Sequence, residues 1–418
     1  MKSSWSRRNL LKGAGAGWLL ETILPRRVYA EYLAAGHGEL YREIGIRPFI
    51  NAAGTYTVLS GAVIPDRVRE TIAEASRYFV PLVPLQNAVG ERIAKLIGVE
   101  AAMVTSGATA SILLATAACV TGKDPENVRR IPDLTGMKSE VIIPKAQSNG
   151  YNHAARSVGV RIVEVENVDQ LRSAISSKTA MLYWTNIMEW KGTIKRHEFV
   201  KAGRTAGVPL FNDAAAELPP AENLAGLVRE GFDLVGFSGG KGLRGLQSTG
   251  LLLGRKDLIE AAQFNNNPHD DAVGRTCKVG KEELMGTLAA VDVFVNRDHE
   301  ADLRTWRGYM ESIARDLNGI DGVQTKIYVP VPGGGPGGGH PIPYLRVQWD
   351  EGKLKLNYRD GSRALKDGEP SIEVNTSQEG LDLASYNLFP GEERIVGQRL
   401  RKLLKSASRQ AATTGARG

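Results

Sequence analysis

Cysteine is scarce: two residues, Cys119 and Cys277, stand in a chain of 418. A disulfide framework is therefore excluded, and a single bridge is the most the chain could form, at a separation that spacing alone does not set. Cys119 lies in the apolar run "SILLATAACV", which reads as a buried helix, whereas Cys277 stands beside charged residues. Histidines are few and scattered, at positions 37, 153, 197, 269, 299 and 340. The nearest approach to a metal-ligand cluster is "HDD" at His269–Asp271, which reads as a polar loop, so no metal is expected. No apolar run is long enough to span a bilayer, and no internal repeat is visible, so stable membrane insertion is not expected. The body of the chain also lacks charge of one sign. The formal net charge is +7, but Lys2, Arg7, Arg8, Lys12, Arg26 and Arg27 against Glu21 account for five of it. Residues 31–418 carry the remaining two, which leaves no electrostatic case for binding nucleic acid.

What is present is an ordinary globular composition, 42% hydrophobic and 24% charged, on a chain long enough for a large domain and a smaller one. The N-terminal stretch "SRRNLLKGAGAGWLLETILPRRVYAE" opens on twin arginines, Arg7 and Arg8, ahead of a short Gly-rich apolar segment. Val28 and Ala30 place small residues where a signal peptidase reads them. The segment resembles a twin-arginine (Tat) export signal cleaved after Ala30; a plain basic amphipathic leader or anchor is the other reading. Such signals carry folded proteins, which implies a cofactor inserted before export, the Tat translocase as a transient partner and a periplasmic destination.

Along the body, short strand-like runs alternate with helix-like ones. "PDRVRETIAEASRYF" (Pro65–Phe79) places Val68, Ile72, Ala75 and Phe79 at helical spacing behind a Pro-Asp start. Strands are expected at "AAMVT", Glu140–Pro144, Arg161–Glu166, Thr179–Asn186, Val208–Asp213, Phe232–Ser238 and Thr249–Gly254. Helices such as "GATASILLATAACV", "VDQLRSAIS" and "HEFVKAGRTAG" fall between them. That alternation predicts an α/β fold with a mostly parallel sheet of about seven strands covered by helices. After about residue 300 the pattern changes. "VPVPGGGPGGGHPIP" (Val329–Pro343) is Gly/Pro-rich but lacks the lysine and helix start of a phosphate loop, and reads as a flexible connection. Strands are expected at "YLRVQWD" and "KLKLNY", and a last helix at "GEERIVGQRLRKLL", giving a small C-terminal α+β domain. The expected organisation is a signal over 1–30, an N-terminal arm over 31–60, a large domain over 61–300, a small domain over 301–405 and a flexible basic tail over 406–418.

Three strand ends carry chemistry, and in open α/β sheets ligands gather at strand carboxyl ends. "MVTSGATAS" runs from a strand into Ser106, Gly107, Ala108 and Thr109, small residues at a helix start whose backbone N–H groups suit a phosphate. "VPLFNDAAAELPP" ends a strand on Asp213, a carboxylate that needs a cationic partner if it is buried; a helix N-cap is the alternative. "FSGGKG" sets Lys241 at a third strand end, among glycines that would clear space for a lysine that must swing. A phosphate cradle, an acid and a lysine are the set that holds pyridoxal 5′-phosphate (PLP). The lysine bonds the cofactor, the acid pairs with the pyridine nitrogen, and the helix start takes the phosphate. Lys241 and Asp213 are thus the candidate catalytic residues. Ser106, Gly107, Ala108, Thr109, Gln147, Ser238 and the same two form the cofactor site.

The stretch from about Ile44 to Leu404 resembles the fold-type-I PLP enzymes, within them the selenocysteine synthase (L-seryl-tRNA selenium transferase)-like family that includes D-glucosaminate-6-phosphate ammonia-lyase. The resemblance rests on "INAAGTYT" (Ile50–Thr57), "VTSGATAS" (Val104–Ser111), "NDAAAELPP" (Asn212–Pro220), "SGGKGLRGLQSTGLLLG" (Ser238–Gly254) and "GRTCKVGKEE" (Gly274–Glu283). It implies the fold, the cofactor, the lysine and the ring-pairing acid, and a homodimer or larger ring with phosphate contacts from the neighbour's "GRTCKVG" region. Relatives carry an aromatic or histidine over the ring in the loop after the strand ending here at Pro144. That loop reads "KAQSNGYNH", with Gln147 placed nearest and Tyr151 or His153 as rivals.

The resemblance implies β-elimination (an ammonia-lyase) or β-replacement on a small amino acid or amino-sugar acid, through an external aldimine and a Cα carbanion. Asn51, Thr55, Tyr56, Arg244 and Gln247 are candidate substrate or cofactor contacts, and Glu217 a second acid–base group; each could equally be a turn or packing residue. Too few residues precede the catalytic region for a tRNA-binding domain, which weighs against the selenium transferase activity itself. Transamination, racemisation and a non-catalytic binding role on the same fold complete the alternatives. Retention of both Lys241 and Asp213 speaks against the last.

Overall fold

In the computed structural model, residues 38–331 and 340–415 are described; the export-signal reading of residues 1–30 lies outside them. Thirteen strands follow in order among these residues: β1 (Phe49–Asn51), β2 (Ala101–Thr105), β3 (Glu140–Pro144), β4 (Arg161–Val165), β5 (Thr179–Thr185), β6 (Leu210–Asp213), β7 (Leu234–Ser238), β8 (Gly250–Gly254), β9 (Val323–Tyr328), β10 (Tyr344–Trp349), β11 (Ser371–Glu373), β12 (Asn375–Thr376) and β13 (Leu381–Ala384). The chain divides into two units. One comprises Thr55–Asp302 with Val329–Ile342; the other joins the described residues up to Gly54 to Leu303–Tyr328 and Pro343 onward. The arm expected over residues 31–60 is thus split at Gly54, because β1 pairs in parallel with β11 and so belongs with the C-terminal segment.

The larger unit holds a seven-stranded sheet in the order β2-β8-β7-β6-β5-β3-β4. All its pairings are parallel except the two made by β8. Its strands read as unbroken apolar runs because both faces are covered. Met103, Val141, Met181, Tyr183 and Phe211 belong to one buried cluster. Their chain neighbours Val104, Ile142, Leu182 and Trp184 belong to the other. The helix Gly107–Thr121 lies on the first face, where Ile112 and Leu114 join the core. Cys119 packs against that cluster, and burial pushes its thiol up to about 12; both cysteines are free thiols. The helix expected over Pro65–Phe79 starts at Asp66 but ends at Ala75, and Phe79 beyond it is fully exposed.

The second unit carries an antiparallel sheet in the order β12-β13-β10-β9. The strand expected at "KLKLNY" is absent. Asp350 caps a short helix, Glu351–Leu354, Lys355 turns with φ 53°, and Asn357 caps the next helix, Tyr358–Asp367. Two side-chain caps at this spacing outweigh the alternation of Lys and Leu that imitates a strand. The last helix runs Glu392–Gly415, so residues 406–415 continue it rather than form a tail; "SASRQAA" contains no helix breaker. No helix among the described residues is long and apolar enough to cross a membrane.

At the start of that last helix, Glu392 and Glu393 are both buried. Their carboxylates accept from the N–H groups of Phe389 at 2.9 Å and Gly391 at 2.6 Å. Burial, and then the neighbouring charge of Glu393, push Glu392 up to about 7. The sign follows directly. Between its ordinary value of 4.5 and about 7 the folded form holds a proton that the unfolded form has released, so stability falls as pH rises through that window. Glu392→Gln is expected to raise the thermal midpoint at pH 8, by the equivalent of roughly 1–3 kcal/mol, and to do little at pH 4.5. Calorimetry of both proteins at the two pH values checks this; an equal effect at both would contradict it.

Candidate active site

The central strands end side by side. Thr185 of β5 pairs with Asp213 of β6, and Asp213 with Gly236 of β7. Side chains alternate between faces, so Asp213 shares the face of Phe211, and Thr185 that of Tyr183. That is the face covered by the helix Gly107–Thr121. One end of one face therefore gathers the acid, the start of a buried helix and, three residues beyond β7, Lys241. They open onto a cavity of about 360 Å³, a size that holds a cofactor.

Asp213 is buried; Oδ1 accepts the Ala215 N–H at 3.1 Å and Oδ2 accepts the Tyr183 hydroxyl at 3.3 Å. Burial pushes its carboxyl above the usual range, while the Ala215 N–H, the charge of Lys241 and the Tyr183 hydroxyl pull it back. Burial, and then the Asp213 charge, hold the Tyr183 hydroxyl well above its ordinary value, so it stays a donor. Burial lowers Lys241, with Asp213 and Glu217 acting in the opposite sense. Lowering a lysine enlarges the share of its free amine, the form a nucleophile or base needs.

Ser106 stands at the N-cap of the helix and makes no side-chain cap, and Gly107, Ala108 and Thr109 line the cavity. Thr105 Oγ1 and Ser111 Oγ lie 2.9 Å apart, and Ser111 Oγ donates to Leu251 O at 3.2 Å, fixing this turn on the sheet. Gly250 of β8 runs beneath it so closely that a Cβ there would stand 2.6 Å from Gly107 C.

The glycines beside Lys241 have a reason other than the clearance expected for a swinging side chain. A Cβ on Gly242 would stand 2.1 Å from Leu218 O, so the lysine loop lies directly on the segment that follows Asp213. Arg244 closes this loop with φ 53°, its N–H donating to Lys241 O at 3.0 Å. Gly242→Ala is expected to cost about 1–3 kcal/mol by overpacking and to weaken cofactor retention. Denaturant unfolding and a PLP titration check it, and wild-type behaviour in both would show that the loop yields freely.

Other candidates are spread more widely. Ser238 and Gln247 line the cavity, with Gln247 Nε2 donating to Thr57 O at 2.7 Å. Gln147 does not line it. Its buried side chain accepts the Thr185 N–H at 2.9 Å, pinning the loop after β3 to the end of β5, and the wall is built instead by Asn149, Gly150 and Tyr151. His153 is exposed, its Nδ1 lying 3.4 Å from Arg156. Asn51 lies in the other unit, where its side chain closes a turn with Ala53 and Gly54. Tyr56 is half exposed, and Thr55 Oγ1 lies 3.4 Å from His340 Nε2. Glu217 is partly buried outside the cavity wall, and burial pushes it up to about 7.

Two side chains escaped sequence reasoning. Tyr183 sits mid-strand opposite Phe211, and only its hydroxyl's bond to Asp213 marks it. His340, far along the chain, is partly buried and lowered to about 4 by desolvation and the charge of Lys241, so its imidazole is neutral at pH 7.

The partly buried lysine, the buried acid with its two donors and the open helix start fit PLP in the donor chemistry each of its ends requires. Comparison with known proteins agrees. The profile of L-seryl-tRNA selenium transferases matches residues 57–307. The chain belongs to that family. D-glucosaminate-6-phosphate ammonia lyase of Salmonella typhimurium is 30% identical over 88% of this chain and 99% of its own. The 5′-C-glycyluridine monooxygenase-decarboxylase of a Streptomyces species is 32% identical over 71% of this chain and 76% of its own. A solved D-glucosaminate-6-phosphate ammonia-lyase structure superposes with TM-score 0.76 at 29% identity, covering 88% and 99% of the two chains. Family membership carries the fold-type-I architecture and the cofactor expected from the strand ends: this is a PLP-dependent enzyme, among relatives that are lyases and transferases.

Proposed function

We propose that this enzyme is an ammonia-lyase acting on a small amino acid or amino-sugar acid by β-elimination. The observation that carries the reading is the ammonia-lyase relative, matched at 30% identity over 99% of its own length. PLP, when bound, supplies an electron sink beside the substrate Cα. The rest falls to the chain. The first-turn amides of Gly107–Thr109 hold a phosphate group. Asp213, gripped by Tyr183 and Ala215, provides a fixed negative charge for the pyridine nitrogen. The Lys241 amine, whose hold on a proton burial weakens, takes the proton from Cα. Loss of a β-hydroxyl as water then yields an enamine that hydrolyses to a keto acid and ammonia.

The test is product analysis on a panel of hydroxy amino acids and amino-sugar acids, with and without a phosphate. Ammonia and a 2-keto acid released in equal amounts, with no second substrate, support the reading. Transfer of the amino group to a keto-acid acceptor would replace it with transamination. Oxygen uptake with release of carbon dioxide would place the enzyme's chemistry beside that of the monooxygenase-decarboxylase relative.

Two further parts of the proposal rest on the sequence and the surface. The twin arginines Arg7 and Arg8 support export of the folded enzyme by the Tat translocase and cleavage after Ala30, which N-terminal sequencing of a periplasmic fraction tests. A homodimer is supported by the exposed apolar run Tyr78, Phe79, Val80 and Val83, a surface of the kind that subunits cover. Sedimentation of the purified enzyme tests it.

A further inference from the structure

Two segments clasp the lysine loop and build the cavity rim beside Lys241. Thr57–Leu59 forms a single 3₁₀ turn, and the chain then crosses the loop at Gly61, with φ 68°. The Ala62 N–H donates to Gly240 O at 3.1 Å, and a Cβ on Gly61 would overlap that same oxygen. From the far end of the loop, Gln247 comes so close that a Cβ on Gly240 would overlap its Cα. Gln247 Nε2 donates to Thr57 O at 2.7 Å and ties the two segments together. Thr57 and Gln247 both line the cavity with Lys241, and both are exposed at its mouth. Backbone contacts therefore set their place relative to the lysine. A carbonyl oxygen only accepts, so the Gln247 amide faces Thr57 with its NH₂. What the side chain still offers is Oε1 and a second N–H, an acceptor and a donor beside the Thr57 hydroxyl. Asn149, the other amide in the lining, is turned into its own loop: Oδ1 accepts the Tyr151 N–H at 2.8 Å and Nδ2 donates to Gln147 O at 3.0 Å.

We propose that Gln247, held by Thr57, determines specificity at the far end of the substrate: it selects an amino-sugar acid with a free hydroxyl tail over one that ends in a phosphate. The proposal rests on the reading of this site as one that takes an amino acid or amino-sugar acid. A hydroxyl both donates and accepts, so it pairs with an amide edge that presents one group of each kind. A phosphate needs donors and positive charge. Among the described residues that line the cavity, Asp213 and Lys241 are the charged ones, and the cofactor takes both. The helix start, the element suited to a phosphate, goes to the phosphate of PLP. A second phosphate at the rim would meet Gln247 Oε1 with no cation of the lining to offset its charge.

The test is ligand binding, read by stopped flow as the change in visible absorbance of the PLP-loaded enzyme. The ligands are D-glucosaminate, its 6-phosphate and serine, which ends at its β-hydroxyl. Wild type is expected to bind D-glucosaminate about tenfold more tightly than the 6-phosphate, and more tightly than serine. Gln247→Ala should cut the advantage of D-glucosaminate over serine by about tenfold. Gln247→Lys keeps a donor for Thr57 O and adds a cation, so it should move the preference towards the 6-phosphate by about tenfold. The proposal is overturned if the 6-phosphate binds wild type as well as the unphosphorylated acid, or if the unphosphorylated acid does not bind. It is overturned too if Gln247→Ala leaves the advantage over serine intact. Should Gln247→Ala fail to fold, Gln247→Lys carries the test, and an unchanged preference there overturns the proposal. Ammonia release separates this inference from the ammonia-lyase reading. An enzyme that binds D-glucosaminate but releases ammonia from no substrate loses that reading and keeps this one. Release from the 6-phosphate alone does the reverse.

Discussion

Lys241→Ala is expected to leave a folded protein with activity reduced by about 10⁴-fold or more. Two losses combine, the covalent hold on the cofactor and the base at Cα, and general acid–base catalysis alone is worth about 10²–10⁴-fold. The side chain is only partly buried, and the loop that carries it is held by backbone contacts, Gly242 against Leu218 and Arg244 N–H on Lys241 O, so truncation leaves the fold in place. The visible absorbance of the lysine-bound cofactor should vanish with it, while PLP still binds weakly through the helix start and Asp213. Turnover within tenfold of wild type would remove Lys241 from the chemistry.

Asp213→Asn is the second large effect, and it separates activity from stability. The carboxylate is buried, and burial pushes its pKa above the ordinary 3.8, so without cofactor the charged form is a burden on the fold near neutrality. Its neutral isostere should leave the PLP-free protein as stable as wild type or more so, as a thermal melt at pH 8 would show. Activity should fall by about 10²–10³-fold, the size of losing one preorganised charge at a reacting system. An amide also sets its NH₂ against one of the two donors, Tyr183 OH or Ala215 N–H, that now grip the carboxylate. A variant both unstable and fully active would reverse this assignment.

Much of this site was legible in the sequence because it lies at strand ends. Strands buried on both faces read as plain apolar runs, so the places where β2, β6 and β7 stop could be found within one or two residues. Asp213, Lys241 and the helix start stand at or just beyond those stops. The small domain was harder. "KLKLNY" alternates like a strand, and only the caps Asp350 and Asn357 make it helical. Side chains that act across the fold left less trace. The loop after β3 places Gln147 near the ring in sequence terms, yet its side chain is spent on the Thr185 N–H, a contact that depends on how β3 and β5 lie in register. His340 reaches Thr55 from 285 residues away, and nothing in the spacing of six scattered histidines distinguishes it. The glycines around Lys241 were conspicuous in sequence, but their purpose, close backbone approach, needed the structure.

The central claim is that three strand ends build one PLP site whose covalent anchor is Lys241. Borohydride reduction of the PLP-loaded enzyme, followed by peptide mapping, tests it most directly. The account predicts one pyridoxyl group per chain, on the peptide that contains Lys241, and none when the reduction is repeated on Lys241→Ala. A label fixed to a different lysine, or no label on a protein that binds PLP, would contradict it.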